Sequence, residues 1–117
     1  MAIVDDRFAG ALSRLDGDRE LFSELATYFV EDAPKLIEVA RAGFANRNAE
    51  TVGRLLHALR GLLANFDADL AIGIAKSIEQ QVARGEWQAV PSELERLAKE
   101  VDALRRELHG LGGADKG

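Results

Sequence analysis

The chain has 117 residues, the length of one domain, with 15 Lys and Arg against 20 Asp and Glu and a formal net charge of -5. That balance argues against a general nucleic-acid or anionic-membrane binder. The absence of cysteine excludes disulfides, thiolate catalysis and cysteine-ligated zinc or iron–sulfur sites. The least polar stretch, Leu70 to Ala75, is too short to span a membrane, and Met1 to Asp6 has no secretory pattern, so a cytoplasmic protein is expected.

Leu, Ala, Glu and Arg dominate, prolines number two, and alternating β-branched runs are missing, a composition that predicts an all-helical protein. A short first helix is expected within Asp5 to Leu15, with Phe8, Leu12 and Leu15 on one face. Gly17 breaks it and Asp18 is placed to cap the next. From Arg19 to about Asn46 the apolar positions Phe22, Leu25, Phe29, Ala33, Leu36, Ala40 and Phe44 recur at steps of three and four. Because this register passes unbroken through Pro34, one long kinked helix of roughly 40 Å is expected rather than two. Asn48 caps a third helix over about Ala49 to Asn65, and Asp67 to Asp69 connects it to a fourth that ends at Gly85. Pro91 suits the first turn of a last helix. Its stripe is Leu94, Leu97, Val101, Leu104, Leu108 and Leu111, and Glu95–Lys99 and Asp102–Arg106 stand in the favourable order for ion pairs. Short connections make neighbouring helices antiparallel, so the expected fold is an up-down-up-down four-helix bundle with a short extra N-terminal helix. The bundle is expected over residues 1–111, followed by a disordered tail over 112–117.

The third helix departs from this ordinary pattern. At ~100° per residue with His57 set at zero, Val52, Leu55, Leu59, Leu62 and Phe66 fall within about 40° of the opposite direction, with Leu56 and Leu63 at the edge. The arc around His57 holds Glu50, Gly53, Arg54, Arg60, Gly61 and Ala64, which puts His57 at the centre of a solvent face. Gly53 and Gly61 lie one turn before and after it, each costing about 0.5–1 kcal/mol relative to Ala in a helix interior. They strip side chain away from around the imidazole and open it to a partner. Arg54 and Arg60 flank the ring and make a basic patch on an acidic protein. An exposed imidazole beside guanidinium groups suits nucleophilic attack on phosphorus and retention of the product's negative charge. No phosphate-binding loop or magnesium site is visible, so a phosphoryl donor would bring its own metal.

The run His57-Ala-Leu59-Arg60-Gly61-Leu-Leu-Ala-Asn-Phe66-Asp67-Ala68 resembles the signature of histidine-containing phosphotransfer (HPt) domains, roughly H-x-L-K-G-S-A-x-x-L-G-A. The stretch from Leu21 to Leu36, Pro34 included, resembles the family's second helix, and the likeness extends from about Phe8 to Leu108. The resemblance implies a four-helix bundle without kinase activity or cofactor. Such a domain carries phosphate between receiver-domain aspartates, or between a sensor kinase and a receiver. His57 would be the phosphoacceptor, at Nε2. Arg60 would replace the usual lysine, and Gly61 would be the residue that lets the receiver approach. Leu62 and Leu63 replace small residues and Asp67 replaces a glycine. The docking surface would comprise Gly53, Arg54, Arg60, Gly61 and Ala64 with apolar residues of the second helix, on a monomer. Two other readings stay open: a bundle that binds a receiver or kinase domain without accepting phosphate, and a dimerisation segment built on the last helix. His109 and the carboxylate pairs Asp5-Asp6 and Glu31-Asp32 read as helix-end residues, and Trp87 as a cover for the end of the core.

Overall fold

The computed structural model describes residues 6–109. A turn of 3-10 helix, Asp6–Phe8, leads into α1 (Ala9–Arg14), and four long helices follow: α2 (Arg19–Ala45), α3 (Ala49–Ala64), α4 (Asp69–Ala83) and α5 (Val90–Leu108). The sequence punctuation sets their starts. Asp18 Oδ1 accepts the Leu21 amide at 3.0 Å and Asn48 Oδ1 accepts the Thr51 amide at 3.1 Å, each satisfying a first-turn donor that helical bonding leaves open. Gly17 and Gly85, both at φ 76°, supply the left-handed residues that end α1 and follow α4. The expected tail over 112–117 lies outside the described residues.

Each long helix packs against its neighbours in sequence, and α2 closes the ring against α5, giving a four-helix bundle with α1 laid on α2. Pro34 lies inside α2 without ending it. Its missing amide and ring clash cost about 3 kcal/mol, offset by burial of the same helix face on both sides of it, Phe22 to Phe29 and Ile37 to Gly43.

The buried positions of α2 are Phe22, Ala26, Phe29, Ala33, Ile37, Ala40 and Gly43; Leu25, Leu36 and Phe44, expected in the stripe, are only partly buried. Small residues at positions 26, 33, 40 and 43 let neighbouring helices approach closely, so the centre of the face follows them and not the larger residues beside them. At Gly43 a Cβ would lie 3.0 Å from Val52 Cγ2 and 3.4 Å from Thr51 Cγ2, so α2 and α3 approach closely at this glycine. In α5 the expected stripe holds from Leu94 to Leu108. Asp102 pairs with Arg106 as expected (3.0 Å), whereas Glu95 turns instead to Arg41 of α2, which grips it through Nε at 3.1 Å and Nη2 at 3.0 Å.

Aromatic groups close both ends. Phe66 meets Phe22, Phe29 and Phe8 at centroid distances of 5.6, 5.8 and 6.3 Å, locking the end of α3 to α2 and the N-terminal turn. At the other end Trp87 packs on Phe44 at 5.8 Å, with the Arg47 guanidinium 5.5 Å over the indole. Among the described residues, no helix is long and apolar enough to cross a membrane.

Candidate phosphotransfer site on α3

The side chains of α3 that reach the core are Val52, Leu56, Leu59 and Leu63, continued by Phe66, while Leu55 and Leu62 are half-buried. The helix is therefore turned by about 40° from the sequence expectation. Leu55 and Leu62 swing toward α2, on the side where Thr51 meets Gly43. Periodicity weighs all leucines alike, and the neighbouring helices choose among them.

The rotation has a consequence at the site. His57 is exposed, as expected, but Gly61 and Arg54 lie nearer the centre of the solvent face. Gly53 and Arg60, both half-exposed, move to the flank facing α4. There Arg60 finds Glu79, a residue sequence reasoning passed over. Arg60 Nε donates to Glu79 Oε2 at 2.6 Å and Nη2 to Oε1 at 3.4 Å, with side-chain exposures of 25% and 23%. The same Nη2 lies 3.0 Å from His57 Nδ1. A carboxylate at the margin of a buried stripe, next to Ile78, was a visible signal. Its partner was not, because the offset between α3 and α4 depends on the turn that joins them.

The basic patch expected around His57 is thus neutralised in place. Arg60 is engaged by Glu79, and Arg54 reaches Glu50 one turn back at 3.6 Å. The second pair is exposed at 68% and 86%, so it contributes little and opens readily. A Cβ added at Gly53 or Gly61 meets nothing within 4 Å, so neither is required for helix packing. Ala64 is exposed on the same face. The turn after α3 uses Asp67 at φ 54°, and Arg14 Nη1 holds its carboxylate at 3.0 Å. Arg14 Nη2 also donates to the Ala64 carbonyl at 3.3 Å, tying α1 to the end of α3. Among the described residues no three carboxylates or imidazoles converge in a metal-ligating group.

An exposed imidazole between two unfilled helix positions, with a guanidinium on its Nδ1, stands on the second long helix of a four-helix bundle. The Hpt domain family model matches residues 24–107, which include this entire arrangement. The chain belongs to the Hpt family. It is a histidine-phosphotransfer domain of the kind that serves phosphorelays. The fold is similar to that of histidine-containing phosphotransfer protein B (HptB) from Pseudomonas aeruginosa PAO1. That structure matches with a TM-score of 0.80 and 24% identity, over 93% of each chain. A search of curated protein sequences finds no match.

Proposed function

We propose that this Hpt domain accepts a phosphoryl group on His57 and exchanges it with the aspartate of a response-regulator receiver domain or of a hybrid sensor kinase. The observation that carries the reading is the exposed His57 flanked by Gly53 and Gly61, two helix-interior glycines with open space above them. A fold without a partner to admit gains stability from alanine at both positions. The receiver docks over Gly53, Arg54, Gly61 and Ala64 as a transient, modest interface on a monomer.

In the transfer step the His57 Nε2 lone pair forms a bond to phosphorus while the bond from phosphorus to the aspartyl oxygen breaks, and the carboxylate leaves with that electron pair. The ring then carries a positive charge with its proton on Nδ1 until water removes it. The divalent ion and most of the charge stabilisation come with the receiver's acidic pocket, and Arg60 supplies a local cation for the phosphoryl oxygens.

The experiment is transfer from a panel of phosphorylated receiver domains to the protein and to its His57→Gln variant. Acid-labile, base-stable label on the wild type alone is the expected result. Binding by both proteins with label on neither would assign the chain to the non-phosphorylated interaction module instead.

A further inference from the structure

The least polar run of the chain, Leu70 to Ala75, does not all go to the core. Ala71, Ile74 and Ala75 are buried, whereas Leu70 is 59% exposed. Gly73 faces solvent too, with nothing within 4 Å of where a Cβ would stand. The other exposed large apolar side chains among the described residues, Leu21, Tyr28 and Val39, all lie on α2. One exposed leucine is ordinary. A helix-interior glycine with room around it is not, because alanine there would stabilise α4.

Between α4 and α5 a groove runs past Leu70, Gly73 and Ser77 on one side and Glu93, Arg96 and Glu100 on the other. At ~100° per residue, Leu70, Gly73 and Ser77 lie about 120° or more round α4 from Glu79, the residue that reaches Arg60 of α3. The groove is therefore on the flank of α4 turned away from α3, and a partner seated there leaves the His57 face open.

The charge around the groove selects its occupant. Arg96 is taken by Glu93 at 3.2 Å, while Asp69 and Glu100 have no ion-pair partner among the described residues. Asp69 stands in the first turn of α4, where a carboxylate suits the helix dipole. Glu100 is half-exposed in the middle of α5 and has no such use. A second copy of this chain would bring the same carboxylates into a two-fold contact and be repelled. A helix with Lys or Arg beside an apolar stripe brings the complementary charge, and its ridge fits where Gly73 and Ser77, about one turn apart, leave the backbone uncovered.

We propose that the α4–α5 groove is a second docking site, taken by a basic amphipathic helix of a partner protein. An aliphatic side chain of that helix sits against Leu70 and Gly73, and its cations meet Asp69 and Glu100. The groove follows about 12 Å of α4, roughly two helical turns, so the contact is small and transient. It lets the domain stay attached to one protein while His57 exchanges phosphate with another. That use rests on the phosphoacceptor reading; the groove itself does not.

The test uses a short synthetic Leu/Lys peptide of helical spacing. Its controls are the same peptide with Glu for Lys, and a scrambled one that loses the apolar stripe. Binding is followed through the 1H–15N shifts of the intact protein. Saturable shifts at Leu70, Gly73, Ser77 and Glu100 are expected, with His57 unmoved and affinity falling as salt rises. Gly73→Gln fills the groove with a good helix former and should weaken binding about tenfold, and Glu100→Gln roughly threefold, both with the fold retained by circular dichroism. Shifts centred on the His57 face or scattered over the surface would overturn the site. So would absence of binding, equal binding of either control peptide, or indifference to Gly73→Gln. Dimerisation of the free protein that Gly73→Gln abolishes would give the groove to a second copy and overturn the partner helix. If His57 takes no phosphate, the shifts still decide the groove.

Discussion

At position 67 the backbone turns to φ 54°, a conformation that costs most residues about 1–2 kcal/mol and that Asp tolerates better than other side chains. The carboxylate also receives Arg14 at 3.0 Å. Asp67→Ala removes both accommodations and is expected to lower stability by about 1–2 kcal/mol in urea unfolding. Asp67→Gly relieves the backbone while losing a solvent-exposed ion pair, and should stay within about 0.5 kcal/mol of wild type. The substitution of Asp for the family's glycine is therefore a local solution to one turn. It lies more than two helical turns from His57 and leaves the imidazole's surroundings intact. At His57 itself the direction to solvent was legible from the glycines around it. The contact of the ring with Arg60 was not, because the carboxylate that holds Arg60 belongs to another helix.

At the scale of elements, three helical glycines separate two physical roles. Gly53 and Gly61 face open space, so Gly53→Ala and Gly61→Ala should each raise stability by about 0.5–1 kcal/mol through helix propensity. The same substitutions should slow transfer from a phosphorylated receiver, since each places a methyl on the docking face. Chemical denaturation and transfer rates on the same samples check both halves. Gly43→Ala has the opposite sign. Its Cβ would press on Val52 Cγ2, a β-branched side chain with little rotamer freedom in a helix, and a loss of about 1 kcal/mol is expected. The helix boundaries were readable because caps, glycines and prolines act locally. Which of two adjacent leucines turns inward was not, as Leu55 against Leu56 and Leu62 against Leu63 show: both choices fit a helical period.

Across the whole molecule, ion pairs and aromatic clusters join the helices at their edges and ends. The Glu95 carboxyl lies below its ordinary value of 4.5, chiefly through the hydrogen bond from Arg41, and Arg105 does the same for Asp102 against 3.8. Depressed carboxylates stabilise the fold above their ordinary values and lose that contribution as pH falls through the folded ones. Thermal stability should therefore decline as pH drops below 4.5. Glu95→Gln should melt slightly lower at neutral pH and show a shallower acid decline, which a pH series of melting curves would register. Phe66 joins α2, α3 and the N-terminal turn through three ring contacts. Phe66→Ala is expected to cost about 3–5 kcal/mol, a large part of the stability of a domain this size. Light scattering should return the mass of one chain, 12.7 kDa.

The amino-acid sequence by itself determined the helical class, the order and ends of the helices, and the exposed histidine between two costly glycines. These follow from local propensity, capping and period, all properties of contiguous residues. Only the tertiary structure decided the roll of α3, the neutralisation of both site arginines and the engagement of Arg60 by Glu79. Those depend on how far one helix is turned against its neighbours. The meeting of Gly43 with Thr51 and Val52 is one such contact between residues distant in sequence, which no local pattern encodes.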